Sequence, residues 1–207
     1  SFESPSLPLG IYGNFTSLFS GSTNLSDWTI GGTGSSYLGY PSKSQLTAYS
    51  GQQFVDFNGK NITLAQSFST TVGELYDVSF VVGRYQSAPP LQLTAVILSG
   101  TGGVITNVLA NAPINPGWSE QIMFRFVATT PVCTIQFTNA SGGIDVDLVL
   151  DNVVVELAPH LSIELEGSNI KLGWKSIAGD VYQLRYQSNL ATNNWLDLDF
   201  PFVGTGS

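Results

Sequence analysis

The sequence is poor in the residues that most enzymes use for catalysis and metal binding. Its 207 residues include one histidine, one cysteine and one methionine. A zinc site with two or three histidines is therefore excluded, and so is an internal disulfide. A nucleophile–histidine pair would have to use His160, which follows a proline, or Cys133, which stands in an apolar run. We therefore expect a protein that is not an enzyme, although two carboxylates would suffice for glycoside hydrolysis.

Charge is scarce as well, and it is mostly of one sign. Only 11% of residues are charged, and 7 Lys and Arg stand against 15 Asp and Glu, a formal net charge of -8. Such a surface repels phosphates and anionic lipid heads, so we expect neither a nucleic-acid partner nor membrane insertion. No apolar run approaches the ~20 residues that span a bilayer. The wealth of Ser, Thr, Asn and Gly is typical of exported bacterial β-proteins, so we expect a secreted or cell-surface location.

The apolar residues alternate with polar ones, which predicts strands rather than helices. Residues 75–82 are rich in β-branched and aromatic side chains. Residues 91–98 and 103–109 are joined by a Gly-rich turn at 99–103, which predicts a hairpin. The longest such run covers residues 144–157. Turn signals recur about every ten residues, so we predict an all-β fold, a two-sheet antiparallel jelly-roll sandwich.

The pattern is interrupted at Ala158-Pro159-His160, which predicts a domain boundary there. The main domain would cover residues 1–157. Three short strands follow at residues 161–165, 169–174 and 181–187. They enclose too little core to be stable alone, so we predict that residues 158–207 form a small partial β module.

Six short motifs, in this order along the chain, resemble the galactose-binding-like jelly rolls of bacterial extracellular proteins. They are Ser1-Phe2-Glu3-Ser4-Pro5, Ser26-Asp27-Trp28, Phe54-Val55-Asp56-Phe57-Asn58-Gly59, Ile62–Phe68, Gly73-Glu74-Leu75-Tyr76-Asp77-Val78-Ser79-Phe80 and Leu150-Asp151-Asn152-Val153-Val154-Val155. That group includes the DUF642-type domains and the carbohydrate-binding modules of families 4, 9 and 22. The resemblance covers residues 1–157 and implies noncatalytic binding of a polysaccharide or other glycan.

The last 50 residues resemble another kind of module. Leu161-Ser162-Ile163, Leu172-Gly173-Trp174, Tyr182-Gln183-Leu184 and Trp195 are similar to parts of the fibronectin type III-like modules of large secreted bacterial proteins. The similarity covers about half of such a module. It therefore implies a partial module and a place in a longer multidomain chain.

A group of aspartates in the predicted last strand suggests a cation site. Asp145, Asp147 and Asp151 would share one face at period two, and calcium binds through oxygen ligands of this kind. The resemblance implies that Glu3 and Asp151 hold one structural calcium. For Asp145 and Asp147 a solvated strand face is the better interpretation.

Tyrosines in irregular segments are candidates for sugar stacking. Tyr37 and Tyr40 stand in an irregular stretch, and Tyr85 is flanked by Arg84 and Gln86 before Pro89-Pro90. We predict that these five residues form the ligand-binding surface, while the alternative is that they cover the scaffold. Two other functions remain open: a structural or adhesive β-domain without a sugar site, and a fragment of a glycan-active enzyme.

Overall fold

The computed structural model describes most of the chain and divides it into two units. It describes residues 2–4, 6, 15–33, 35–39, 46–57, 61–84, 90–141, 148–159, 161–174, 176, 178–186 and 195–205, of which 15, 35–39 and 161 by backbone alone. The first unit is Ser1–Leu157 and the second is Ala158–Ser207. The division falls where the alternating pattern is interrupted.

Twelve strands are seen in the described part of the first unit. In chain order they are β1 Phe15–Phe19, β2 Thr29–Gly32, β3 Ser35–Gly39, β4 Phe54–Phe57, β5 Ile62–Ser69, β6 Leu75–Arg84, β7 Gln92–Ser99, β8 Val104–Asn111, β9 Gly117–Trp118, β10 Ile122–Val127, β11 Val132–Asn139 and β12 Leu148–Leu157. No helix occurs among the residues that the structure describes, and so none that could cross a membrane.

These strands form two antiparallel sheets, which confirms the predicted all-β sandwich. The seven-stranded sheet has the order β1-β3-β4-β12-β6-β10, with β9 paired to β6. The five-stranded sheet has the order β2-β5-β11-β7-β8. The predicted hairpin is confirmed as β7 and β8, and its turn is closed by the Gly102 amide, which donates to the Ser99 carbonyl at 2.8 Å.

The core lies between the two sheets and is filled by the alternate residues of each strand. In β7, Leu93, Ala95 and Ile97 are buried while the residues between them are half-buried. Aromatic rings join the sheets, and Phe80 of β6 meets Phe137 of β11 edge to face, with ring centroids 5.2 Å apart. Each fully buried side chain of this size contributes about 1.5–3 kcal/mol. Cys133 is also buried, as its apolar surroundings predict.

A β-bulge in β12 shapes the outer face of the seven-stranded sheet. The register of β12 against β6 shifts between Asp151 and Val154, and Asn152 has a φ of 53°. Leu148 and Leu150 face the core, whereas Val149 belongs to a separate cluster on the outer face. Asp151, opposite Val81, therefore emerges on the outer face, just before the strand bends.

One sequence prediction about a strand end needs correction. Arg84 was predicted in a turn, but β6 continues to Arg84, because this residue pairs with Leu148 of β12 and Gly117 of β9. The long strand predicted over residues 144–157 is observed over Leu148–Leu157. Residues 142–147, which include Asp145 and Asp147, lie outside the described residues, so the predicted start of this strand stays a prediction.

Three separate pairs of strands are found among the described residues of the second unit. They are β13 Leu161–Glu166 with β14 Asn169–Trp174, β15 Val181–Tyr182 with β18 Phe202–Val203, and β16 Arg185–Tyr186 with β17 Leu196–Asp197. Phe202 packs on Trp174 and Tyr182, with ring centroids 5.1 and 6.0 Å apart. Much of the remaining apolar surface is exposed, including Leu165 at 81% and Phe200 at 85%.

We predict that the two units differ in their ability to fold alone. Residues 1–157 contain a continuous core between two sheets. This fragment should therefore unfold in one cooperative transition, and its amide NMR signals should be well dispersed. Residues 158–207 leave most of their apolar residues uncovered, so this fragment should show poor dispersion and aggregate. A cooperatively melting monomer of residues 158–207 would contradict the prediction.

Candidate functional site

Residues 46–53, here called the covering loop, lie on the outer face of the seven-stranded sheet. Leu46 is buried there with Phe54 and Val149, and Ala48 and Trp118 pack against this small cluster. The Trp118 indole N–H donates to the Thr47 carbonyl at 2.8 Å. The loop therefore seals apolar side chains that would otherwise face water, and it brings its own backbone close to Asp151.

Asp151 is held by backbone amides of the covering loop. Its Oδ2 accepts from the amides of Tyr49 at 2.9 Å and Ser50 at 3.0 Å. Its Oδ1 accepts from the amide of Asn152 at 2.6 Å, within the bulge of β12. The residue is 4% exposed. A buried carboxylate needs such donors, so the loop and the bulge together satisfy Asp151.

Glu3 binds the other half of the same loop. Its Oε1 accepts from the amides of Gln52 at 3.0 Å and Gln53 at 3.1 Å. The Gln53 side chain donates to the carbonyl of Phe2 at 2.8 Å, so the N-terminal segment is attached to the loop twice. Gly51 stands between the two pairs of amides with a φ of 67°, and a Cβ there would collide with the Glu3 carboxylate.

The two predicted calcium ligands thus meet at one loop although 148 positions separate them, from residue 3 to residue 151. Burial raises the pKa of Asp151 above its ordinary 3.8, the three backbone amides act in the opposite direction, and the charge of Glu3 raises this pKa further. Like charges in close proximity are costly, and a bound cation would offset that cost.

The donor set fits a calcium ion in its chemistry. Each carboxylate oxygen can accept more than one contact, and Glu3 Oε2 accepts no hydrogen bond from the described part of the chain. Calcium takes six to eight oxygens, so Glu3 and Asp151 would need carbonyl or water oxygens to complete the shell. In the described ranges no group of three or more His, Cys, Asp or Glu gathers that could replace them.

The structure describes only part of the predicted sugar surface. Tyr40, Tyr85 and Gln86 lie outside the described residues. Tyr37 was predicted in an irregular stretch, but its backbone belongs to β3 and pairs with Ser17 of β1 and Asp56 of β4. The binding roles predicted for these four residues therefore stay predictions.

Arg84 is described fully, and its position is not that of a loop residue. Its side chain is 0% exposed, and its Nη1 donates to the Ile114 carbonyl at 3.3 Å. Burial lowers the pKa of this guanidinium. Arg84 is therefore a buried residue at the end of β6 and not an exposed loop residue.

The five-stranded sheet presents an outer face that sequence analysis did not single out. Strands β2, β5, β7, β8 and β11 contain no Asp, Glu, Lys, Arg or His. We call the outward residues of these strands the uncharged face. By contrast, six charged residues occur in the strands of the other sheet: Asp56, Asp77, Arg84, Arg125, Asp151 and Glu156.

A row of hydroxyl groups crosses the uncharged face, and an amide lies in the next row. Thr138 of β11 pairs with Thr63 of β5 and Thr94 of β7, and all three are half-buried. In the next row along β11, Gln136 lies between Ala65 and Val96. The signal that could have found this face was the lack of charge in five predicted strands, but their assembly into one sheet could not be read from the sequence.

Comparison with solved structures finds partial similarity to several carbohydrate-active proteins. A xylan-binding family 22 carbohydrate-binding module from Paenibacillus barcinonensis is 13% identical, with a TM-score of 0.47, over 72% of this chain and 97% of that one. A family 35 carbohydrate-binding module from Clostridium thermocellum is 12% identical, with a TM-score of 0.47, over 69% of this chain and 99% of that one. An arabinose-bound α-L-arabinofuranosidase of glycoside hydrolase family 51 is 10% identical, with a TM-score of 0.49, over 72% of this chain and 26% of that one.

No protein-family profile and no curated protein matches the sequence. The fold of this chain is assigned from the order and the register of its strands.

The raised pKa of Asp151 predicts an unusual pH dependence of stability in metal-free protein. Between the ordinary pKa of 3.8 and the raised value, the folded state binds more protons at Asp151 than the unfolded state does. The contribution of this group is therefore fully present at the acid end of that window and is lost as pH rises through it. Asp151→Asn lacks this titration.

The measurement is urea denaturation of both proteins with a chelator, from pH 3.5 to 7. The free energy of unfolding of the parent protein, relative to that of Asp151→Asn, should fall with rising pH and then level off. A difference that rises with pH would show that the hydrogen bonds to the carboxylate outweigh its desolvation.

Proposed function

We propose that the first unit is a noncatalytic carbohydrate-binding module of a secreted or cell-surface protein, and that its ligand is a polysaccharide or other glycan. The observation that carries the proposal is the uncharged face of the five-stranded sheet. It places the hydroxyl row of Thr63, Thr138 and Thr94, and the amide of Gln136, on a sheet face without charged residues in a protein whose net charge is -8.

The chemistry of this face matches that of a neutral glycan. Sugar hydroxyls both donate and accept hydrogen bonds, as threonine hydroxyls and glutamine amides do. Neighbouring strands lie about 4.8 Å apart, so consecutive partners such as Thr63, Thr138 and Thr94 offer a ladder of polar groups to an extended chain. Desolvating uncharged groups costs less than desolvating charged ones, which favours a neutral ligand.

Calcium is the proposed structural cofactor of this module. Glu3 and Asp151 would supply carboxylate oxygens, and the bound ion would attach the N-terminal segment, the covering loop and β12 to one another. Support comes from the convergence of both carboxylates on residues 49–53 and from the unfavourable proximity of their charges. The ion would act by stabilising the fold, away from the uncharged face.

The first test places one positive charge in the middle of the uncharged face. Thr138→Lys should abolish most of the retardation of the protein in native gels containing hydroxyethylcellulose, xylan, galactan or galactomannan, because the lysine covers neighbouring hydroxyls and disrupts their row. The matched control is Thr101→Lys in the exposed β7–β8 turn, which changes net charge equally. Melting temperatures of both variants should stay within a few degrees of the parent.

Two outcomes would contradict this assignment. Retardation of Thr138→Lys equal to that of the parent protein would remove the uncharged face from the binding site. If none of these polysaccharides retards the parent protein, a structural or adhesive role replaces glycan binding.

The second test concerns calcium and stability. At a free calcium concentration of 100 times its Kd, the parent protein should gain about 2.7 kcal/mol in free energy of unfolding over chelator-treated protein. Glu3→Gln keeps an acceptor for the loop amides but removes one charge, so it should lose most of this gain. The matched control is Glu156→Gln, which removes an exposed carboxylate of β12 and should keep the calcium-dependent gain in stability. If calcium does not change the melting temperature of the parent protein, calcium is not its structural cofactor.

A further inference from the structure

Tyr49 is an exposed aromatic residue on the covering loop, on the outer face of the seven-stranded sheet. Its exposed fraction is 48%. Among the described aromatic side chains of the first unit, only Phe19 is also exposed, at 58%. No ring contact is formed by Phe19 within the described residues, whereas Tyr49 has one.

The backbone of Tyr49 is fixed by the buried carboxylate beneath it. The Tyr49 amide donates to Asp151 Oδ2 at 2.9 Å, and the Ser50 amide donates to the same oxygen at 3.0 Å. Glu3 holds the loop on the other side of Gly51 through the amides of Gln52 and Gln53. The covering loop is therefore held by hydrogen bonds on both sides of Gly51, and these fix the backbone of Tyr49.

The ring of Tyr49 is oriented by Trp118. The two rings meet edge to face, with centroids 6.2 Å apart and an interplanar angle of 74°. Trp118 is itself fixed, because Phe54 meets it at 5.7 Å and its indole N–H donates to Thr47. Gly83 is its register partner, and a Cβ there would overlap the indole ring, so the glycine lets the ring approach the sheet.

Polar groups flank this aromatic pair along the sheet. Asp151 pairs with Val81, and Ser79 lies two residues along β6 on the same face. The Gln121 amide donates to the Ser79 hydroxyl at 2.9 Å, so it also lies on the outer face. An amide and a hydroxyl thus share the outer face of this sheet with the half-exposed Tyr49 ring.

We propose that Tyr49 is a stacking subsite for one sugar ring, on the sheet face opposite to the uncharged face. The inference rests on the proposed glycan-binding function and adds a second contact point to it. The C–H face of the sugar packs on the phenol ring, while Ser79 and Gln121 bind its hydroxyls. A ring that is already held by Trp118 and Asp151 loses little conformational freedom on binding, which is the benefit of preorganisation.

The test compares three single variants in the same polysaccharide gels, followed by calorimetry with the oligosaccharide of the best-retarding polymer. Tyr49→Ala should weaken affinity about three- to tenfold, as expected for the loss of one aromatic contact. Tyr49→Phe keeps the ring and should bind within about twofold of the parent. Tyr186→Ala is the matched control, since Tyr186 is 45% exposed in the second unit. Melting temperatures verify that all three fold.

The outcomes separate this inference from the proposed function. Parent-like affinity of Tyr49→Ala overturns the stacking subsite while glycan binding stands. Equal losses for Tyr49→Phe and Tyr49→Ala also overturn it, because they assign the effect to the hydroxyl and not to the ring. A parent protein that binds no polysaccharide overturns the function and the subsite together. The inference is supported if Tyr49→Ala loses affinity for the glycan while Tyr49→Phe and Tyr186→Ala keep the affinity of the parent protein.

Discussion

The seven-stranded sheet depends on how one buried carboxylate is satisfied. Asp151 lies on the outer face of a central strand, where an ionised group without donors would be costly. Three backbone amides bind it, and two of these come from the covering loop. By accepting them, Asp151 holds the loop over Phe54 and Trp118 and fixes the backbone of Tyr49.

Glu3 extends the same arrangement to the start of the chain. Its carboxylate binds the amides on the far side of Gly51, and no larger residue would fit between the two acidic groups without displacing one of them. The N-terminal segment, the covering loop and β12 are therefore joined by short hydrogen bonds between residues distant in sequence. The electrostatic cost is the proximity of two negative charges, and this cost is what makes a cation an apt partner.

The distribution of charge divides the sandwich into two faces with different chemistry. Every charged residue found in its strands belongs to the seven-stranded sheet, where Arg125 forms an ion pair with Asp77 at 2.5 Å. The outer face of the five-stranded sheet carries only hydroxyl, amide and aliphatic groups. A surface without charge depends for recognition on the arrangement of its hydrogen-bonding groups, so affinity for a glycan should be little affected by salt.

The sequence by itself determined where strands form and which of their residues face inward, because alternation at period two is a local property. It therefore predicted the β7–β8 hairpin, the long strand that ends at Leu157 and the burial of Cys133. It placed Arg84 in a turn, since a lone arginine after an apolar run looks like a strand end, whereas pairing with Leu148 and Gly117 carries β6 through it.

Only the tertiary structure decided which residues distant in sequence are in contact. Glu3 and Asp151 were linked in advance by a family resemblance, but the loop that binds both became visible only once distant amides were placed within 3.1 Å of them. The uncharged face and the Tyr49–Trp118 pair likewise arise from long-range pairing, since alternation does not say which strands share a sheet or what covers it. Local sequence encodes the strands, and packing between distant segments decides their surfaces.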